Sequence, residues 1–344
     1  MTAQGPRGPV APRRLRAGKL PPDRLERLVL SRLGCRRPEV QVHAAVGEDS
    51  AVLDPGGRLV VVSSDPITGA SAGMGRLGVH VACNDLAAMG AEPVGVQVVL
   101  LLPEGTDEGA LADLAEEIAG ACEGLGIEVL GGHTEVTSKV TDPVVVLTAL
   151  GAVARSRLVT SAGARPGDDV VVTKAAGIEG TAILAWDRGE ELSQALGAEL
   201  VERARRFFDD VSAVRDGLVA AGHGVTAMHD VTEGGLYGAL WELCQASKVG
   251  AELEAGRVPV RAETERICRH LRIDPLGLIS SGTMLITAPD GARLVEALGQ
   301  EGIPAAVVGR ITQPHAGVVV VGSGGERRRL DTAPVDELWR VLVS

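Results

Sequence analysis

The chain has 344 residues, which exceeds the size at which one hydrophobic core stops growing, so we expect two domains. A formal net charge of −11 at pH 7 disfavours dedicated binding to nucleic acid or to an anionic membrane, because both also carry negative charge. The five cysteines are scattered and form no C-x-x-C pair, which argues against a disulfide framework or a structural zinc site. No signal-peptide pattern opens the chain and its apolar runs are too short to span a bilayer, so we expect a cytoplasmic protein.

The predicted elements begin after a basic arm. Residues 1–20 combine Arg and Lys with Pro and Gly and show no apolar periodicity, which predicts a flexible segment. Leucines at helical spacing in 21–33 predict a short amphipathic helix that ends before Gly34. Lys19, near the end of the arm, could reach a bound phosphate, and a solvated lysine is the alternative.

From Ala51 onwards, short β-rich runs alternate with longer helical patterns. The predicted strands are 59–63, 94–102, 128–130 and 144–153, and the predicted helices are 78–89 and 106–124, the second with Thr106 as its N-cap. This alternation indicates an α/β domain.

A turn-rich stretch at 161–169 separates this region from a second one of the same type. Its predicted strands are 170–173, 224–228, 283–287, 305–311 and 317–321, and its predicted helices are 198–219, 234–247 and 292–298. We therefore divide the chain into an arm (1–20), an N-terminal α/β domain (21–160) and a C-terminal α/β domain (161–344). A cleft between two such domains is a common place for a small-molecule site.

Four short acidic segments fall where an α/β domain turns from strand to helix, and they contain Asp49, Asp65, Asp85 and Asp230. Clustered carboxylates need positive charge nearby, and Mg²⁺ supplies it by bridging carboxylates to substrate phosphates. An ATP-dependent enzyme is the leading interpretation.

Each acidic segment also has a purely structural alternative. Asp49 could lie in a solvated turn and Asp65 in an Asx-turn. Asn84 and Asp85 lie in a predicted helix among apolar neighbours, where a satisfied hydrogen bond in the core is the alternative. Asp230 precedes a helix that Gly234 and Gly235 open, so it could face an anion at the helix N-terminus or cap that helix itself.

Two glycine-containing segments add weaker signals. Gly131 and Gly132 follow a predicted strand and allow close approach of the backbone to a ligand, while His133 could be a ligand, a general base or a turn residue. The segment 174–181 begins with Lys174 and has spaced glycines, which is consistent with phosphate binding, but it lacks the Walker pattern. The chain contains neither a Walker A sequence nor a dinucleotide-binding fingerprint after its first strand.

The order and spacing of these motifs resemble the aminoimidazole ribonucleotide synthetase superfamily. The matching segments are 47–53, Asp65, 84–93, 131–134 and 229–236. The superfamily includes a hydrogenase-maturation carbamoyl dehydratase and thiamine monophosphate kinase, and the segment 278–285 looks most like the hydrogenase-maturation branch.

The resemblance implies a two-domain fold with mixed sheets, N-terminal domains that pair in a homodimer, and ATP held with Mg²⁺ in the cleft. It implies Asp49, Asp65, Asp85 and Asp230 as metal ligands, and Asp49, Asp230 and His133 as catalytic residues. The expected cofactor-binding residues are Lys19, Gly47, Glu48, Asp49, Asp65, Asn84, Asp85, Gly131, Gly132 and Thr134. It also implies phosphorylation of an oxygen atom on a small molecule or carried group, and a possible protein partner in a maturation pathway.

Two departures from the family pattern keep other functions open. The residues 338–344 contain no cysteine, whereas the carbamoyl dehydratase ends in a cysteine that carries the carbamoyl group. His133 stands where the family commonly has Asp or Glu, and Glu135 is the candidate to supply the missing charge. The alternatives are a nucleotide-binding partner or regulatory protein without turnover, and a small-molecule kinase of the thiamine monophosphate type.

Overall fold

The computed structural model describes residues 40–42, 45–48, 50–54, 56–67 and 73–342, together with Pro22 and Glu26. The predicted arm 1–20, with Lys19, lies outside the described residues, and so do Asp49 and most of the predicted helix 21–33. Within the described part of the chain, no helix is long and apolar enough to cross a membrane.

The first part of the chain forms a mixed six-stranded sheet with two helices on one face. Its strands, in the spatial order β1-β2-β3-β6-β4-β5, are β1 (Val40–Val42), β2 (Ala51–Leu53), β3 (Leu59–Ile67), β4 (Glu92–Leu102), β5 (Glu128–Val136) and β6 (Val144–Val153). The helices are α1 (Met74–Ala88) and α2 (Glu108–Leu125). All neighbouring strands are antiparallel except β4 and β5, which are parallel.

The two faces of this sheet differ in cover. Alternate side chains such as Val61, Leu147 and Val98 are buried in the core beneath α1 and α2. Side chains on the other face, such as Val62 and Val99, are only partly buried and belong to neither hydrophobic core. We call this second surface the open face.

Three predictions in this region were wrong in detail. The third strand continues past residue 63 to Ile67, and the strand that begins at Glu128 continues to Val136, so the Gly131–Gly132 pair lies inside a strand rather than after one. The N-cap of α2 is Asp107, whose carboxylate accepts a hydrogen bond from the Gly109 amide, because the helix begins two residues after Thr106.

The second part of the chain forms a mixed seven-stranded sheet. Its strands, in the order β13-β12-β9-β11-β7-β10-β8, are β7 (Asp169–Thr173), β8 (Ala227–Asp230), β9 (Gly250–Glu254), β10 (Met284–Ala288), β11 (Ala305–Thr312), β12 (Val318–Val321) and β13 (Arg327–Leu330). The helices are α3 (Ile178–Asp187), α4 (Gly189–Leu196), α5 (Ala198–Arg205), α6 (Val214–Ala220), α7 (Gly235–Ser247), α8 (Ala262–Leu271), α9 (Gly291–Gln300) and α10 (Trp339–Leu342).

Both faces of the second sheet are covered. Along β7, Val170 and Val172 belong to the hydrophobic core that includes Leu240 of α7, while Val171 between them belongs to the other core. That other core also contains Leu86 of α1, so it continues from one sheet to the other. The expected α/β fold with mixed sheets is confirmed.

The single helix predicted for 198–219 is wrong. The chain instead forms α5, a 3₁₀ segment at Arg206–Asp210, a short break and then α6. Helices α3, α4, α8 and α10 and strands β9 and β13 were not predicted. The division of the chain at residue 160/161 stays a prediction.

Candidate functional site

A turn from the first part of the chain rests on a helix from the second. Gly47 has φ +82°, and a Cβ atom at this position would lie 2.8 Å from the carbonyl oxygen of Glu242 in α7. Only glycine therefore fits both the backbone conformation and the space, and its presence brings Glu48 against α7 and β8.

Glu48 lies close to a group of buried ionisable side chains at the end of β8. His229 and Asp230 are almost fully buried, and Nε2 of His229 lies 3.4 Å from Oε2 of Glu242. Nδ1 of His229 lies 2.7 Å from the carbonyl oxygen of Asp230, to which it donates. Burial raises the pKa of Glu48, and the positive charge that His229 can carry acts in the opposite direction.

Strand β2 connects this turn to a second acidic group on the first sheet. Because Ala51 pairs with Val62 in an antiparallel register, Ser50 comes to the level of Ser63. The Ser63 hydroxyl donates to the carboxylate of Asp85 in α1, and Asp65 Oδ2 lies 3.4 Å from the same hydroxyl.

The structure thus brings the segments of Glu48, Asp65 and Asp85 together along β2, while α1 packs against the strand that ends at Asp230. Asp49 lies between Glu48 and Ser50 in sequence but outside the described residues.

Oxygen atoms in this region are available for a hard cation. Oε2 of Glu48 and Oγ of Ser50 are buried and have no hydrogen-bond partner within the described chain. Carboxylate and hydroxyl oxygens are the ligands that suit Mg²⁺, so the donor set fits this ion. No three His, Cys, Asp or Glu side chains in the described ranges are grouped so as to hold a metal alone.

Asn84 holds the two parts of the chain together. Its Nδ2 donates to the carbonyl oxygen of Val211 at 2.9 Å, and its Oδ1 accepts from the Ala213 amide at 2.6 Å. The side chain is fully buried, which is the hydrogen-bonded core position raised above as the alternative to cofactor binding.

His133 lies on a different surface from Asp65. The strand pairs Asp65–Leu147, Leu147–Val98 and Val98–Gly132 place Gly132 on the face that α1 covers, about 14 Å from Asp65 at ordinary strand spacing. His133, the next residue, therefore belongs to the open face.

The remainder of the glycine motif is solvent-exposed on the edge of the sheet. All nine residues of β5 are exposed, including Gly131, Gly132 and Thr134, and Nε2 of His133 lies 3.5 Å from Oε2 of Glu135. Within one subunit, the structure does not bring this motif to the buried acidic groups.

Lys174 does not face a phosphate site. Its ammonium group contacts both carboxylate oxygens of Asp216 and the carbonyl oxygens of Ser212 and Gly282, all at 2.7–2.9 Å. These contacts use the donors of Lys174 within the protein, and phosphate binding by the rest of 174–181 stays a prediction.

Two family models together match most of the chain. Residues 47–153 match the N-terminal domain of AIR synthase related proteins, and residues 165–322 match the C-terminal domain. The chain belongs to the AIR synthase-related protein family.

Curated relatives of this AIR synthase-related protein include three named proteins. A hydrogenase expression/formation protein of Methanocaldococcus jannaschii is 28% identical over 303 residues, with 86% of this chain and 88% of the relative covered. Carbamoyl dehydratase HypE of Rhodobacter capsulatus is 29% identical over 305 residues, covering 85% and 87%. Thiamine-monophosphate kinase of Pyrococcus horikoshii is 28% identical over 244 residues, covering 70% and 71%.

Solved structures share the fold of this AIR synthase-related protein. The HypE–HypF complex contains a chain that matches with a TM-score of 0.74 at 20% identity, covering 90% of this chain and 99% of that one. Hydrogenase maturation protein HypE in complex with ATP matches with a TM-score of 0.66 at 22% identity, covering 92% and 94%.

The AIR synthase-related chain also has acidic residues near the site that the sequence interpretation missed. Burial raises the pKa of Glu179 to about 7, against a hydrogen bond from the Ser281 amide, and the charges of Asp336 and Asp230 raise it further. Glu242 contacts His229. The sequence did contain a signal for both residues, since Glu179 and Glu242 are acids inside apolar helical stretches. A buried acid needs a partner, which is a reason to consider such a residue for a site.

Proposed function

We propose that the chain is an enzyme that binds ATP with Mg²⁺ and transfers a phosphoryl group to an oxygen atom of a small molecule or carried group. The observation that carries this proposal is the junction at Gly47–Ser50. There, buried oxygens without partners lie between the acidic group at Asp230 and the acidic group at Asp85.

The roles of the chain's own residues follow from this junction. Glu48, Asp49, Asp65, Asp85 and Asp230 would supply negative oxygens to the metal–nucleotide site, with at most two of the described carboxylates on any one ion, and Gly47 allows the turn to approach α7. A Mg²⁺ ion held by these residues would neutralise phosphate charge and help to align the transfer. The solved HypE structure with ATP and the similarity to thiamine-monophosphate kinase support nucleotide binding in this fold.

We further propose that two copies pair through the open face. The open face carries partly buried apolar side chains such as Val62 and Val99, and Leu130 of the edge strand β5 is 46% exposed. An exposed edge strand next to an uncovered apolar face is a liability unless another chain covers it. Pairing of two open faces would bury His133 and Glu135 at the interface.

We also propose an interaction with a protein partner in a maturation pathway. It rests on the similarity to the hydrogenase-maturation proteins and on the solved complex in which HypE is bound to HypF. The phosphoryl acceptor is left open, because acceptor pockets differ among proteins that share a fold.

The test is calorimetry of ATP binding with Mg²⁺ and with EDTA, on the natural chain and on Asp230→Asn and Asp85→Asn. We expect Mg-dependent binding in the natural chain and a loss of at least about tenfold in each variant, since a metal-held charge contributes more than about 1.4 kcal/mol. Asp142→Asn, which changes an exposed acid, is the matched control and should bind normally.

The same samples separate the alternatives when ADP and free phosphate are measured. Release of both favours a dehydratase-type or ligase-type reaction, and ADP without free phosphate favours a small-molecule kinase. Mg–ATP binding without either product, with every acceptor offered, indicates a regulatory partner. A folded chain that does not bind ATP contradicts the nucleotide proposal.

A further inference from the structure

The segment Pro334 to Trp339, which we call the latch, lies over the turn that follows Asp230. Asp336 in the latch is 1% exposed, and its Oδ2 accepts a hydrogen bond from the Gly234 amide at 2.6 Å. Its other oxygen accepts from the Leu338 amide at 2.8 Å. One carboxylate therefore joins the start of α7 to the latch itself.

Other latch residues fix the same turn from the side. The indole N–H of Trp339 donates to Oε1 of Glu233 at 2.9 Å, and the Glu337 amide donates to the carbonyl oxygen of Gly277 at 3.1 Å. Leu338 is 2% exposed and belongs to the hydrophobic core. The latch is thus held by polar and apolar contacts together.

The turn beneath the latch needs such support. Gly234 and Gly235 both have positive φ, and neither has a side chain to pack against its surroundings. A Cβ at Gly235 would lie 2.7 Å from the carbonyl oxygens of Leu276 and Leu278, so the backbone must pass close to a neighbouring segment. Asp230 is only four residues before Gly234, so this turn directly follows the end of β8.

Asp336 also takes the place of an anion at the N-terminus of α7. Gly234 is the N-cap residue of α7 and makes no side-chain hydrogen bond to the helix amides. The Asp336 carboxylate supplies the negative charge that a helix N-terminus favours. A bound phosphate is therefore not needed there, which differs from the sequence-based expectation that Asp230 or a ligand would meet this helix end.

We propose that the latch positions the Asp230 turn for metal–nucleotide binding, with Asp336 as the principal positioning residue and Trp339 as the second. This inference rests on the proposed function, because it assigns the latch a role in the same site. Asp336 acts through the Gly234 amide and Trp339 acts through the side chain of Glu233, and neither is itself a ligand.

Asp336→Asn tests the inference with little change in size. An Asn side chain offers one acceptor oxygen where Asp336 uses two, so either the Gly234 amide or the Leu338 amide loses its partner. Trp339→Phe removes only the indole donor to Glu233. Val335→Ser changes an exposed latch residue, 76% accessible, and serves as the control.

Two measurements are made on each full-length variant at a temperature where it is folded. One is the Kd for ATP with Mg²⁺ and with EDTA, and the other is the hydrogen-exchange rate of the amides at 233–235. For Asp336→Asn we expect an about three- to tenfold weaker Kd for Mg–ATP, an unchanged Kd in EDTA, and faster exchange at the turn. Trp339→Phe should show smaller changes in both the Kd for Mg–ATP and the exchange rate, and Val335→Ser should show neither change.

The outcomes separate this inference from the proposed function. If the natural chain does not bind Mg–ATP, the proposed function is wrong. The role of the latch in that site is then wrong as well, whatever the exchange rates show. If the natural chain binds Mg–ATP and Asp336→Asn speeds exchange without weakening Mg-dependent binding, the latch is structural only and the inference is overturned. Unchanged exchange in Asp336→Asn overturns it as well.

Discussion

The two sheets of this chain differ in how many of their faces are covered by other elements. The first sheet has helices on one face and leaves the other face only partly buried and the whole of β5 exposed, whereas the second sheet lies between α7 and the core that contains α1. An antiparallel sheet can leave one face to solvent, but apolar side chains on an uncovered face favour contact with another chain. The first sheet is therefore the part suited to association, and the second is the part suited to holding buried polar groups.

The candidate site lies where these two parts meet, and each part contributes differently. The second part supplies Asp230, His229 and Glu242, which are buried and fixed by helix, sheet and latch. The first part supplies Glu48 and Asp85 from a turn and a helix that pack onto the second. Asn84 ties α1 to the break before α6, so the relative position of the acidic groups depends on a hydrogen-bonded contact between the parts.

The largest expected effect comes from placing a charge on the open face. Val99→Glu should weaken self-association more than about a hundredfold, because an uncompensated charge in a buried interface costs about 3–5 kcal/mol. Sedimentation equilibrium measures the dimer Kd directly. Val335→Glu, which adds the same charge at an exposed valine outside the sheets, should leave the Kd unchanged. A natural chain that stays monomeric at every concentration would contradict the role assigned to this face.

A smaller effect should come from the buried acid of the second part. Burial raises the pKa of Glu179 from about 4.5 to about 7, so the folded state holds this proton more tightly than the unfolded state does. The stabilising contribution is complete below pH 4.5 and is lost as the pH rises through 7. The free energy of unfolding should therefore increase between pH 8 and pH 5 by on the order of 3 kcal/mol through this group.

Urea unfolding at pH 5, 6, 7 and 8 measures this dependence. Glu179→Gln should lose most of the increase, whereas Glu104→Gln, which changes an exposed acid in a loop, should retain it. Asp336, whose pKa burial raises to about 6, contributes in the same direction and leaves a smaller residual slope in Glu179→Gln. An equal pH dependence in the natural chain and Glu179→Gln would show that Glu179 is not held in a low-dielectric environment.

Local sequence patterns predicted much of the fold. The long apolar runs gave the central strands β4 and β6 nearly to the residue, because a strand with a buried face shows its period directly. The break between α5 and α6 was not predicted, and its backbone is bonded to Asn84, which is 127 residues away from Val211. Helix propensity alone favours one continuous helix there.

The candidate site was predictable in its acidic segments and not in its geometry. Motif order pointed to Asp65, Asp85 and Asp230, and short-range turn chemistry pointed to Gly47. That His133 lies on the opposite face from Asp65 follows from strand register, which a short glycine motif does not reveal. The roles of Glu179 and Asp336 depend on contacts between segments more than 100 residues apart.

The smallest expected effect tests whether the two parts differ only in tertiary packing or also in the stability of their single helices. Each part has a helix with an acidic N-cap, Asp107 for α2 and Asp290 for α9, and each carboxylate accepts one backbone hydrogen bond. Alanine at either position should lower the free energy of unfolding by about 1 kcal/mol, because a cap acts within its own first turn. Glu104→Ala, which changes an exposed acid in the loop before α2, should cost clearly less than Asp107→Ala. Chemical denaturation of the three variants measures these differences, and a much larger loss for only one of the two caps would mean that the parts already differ at the level of single helices.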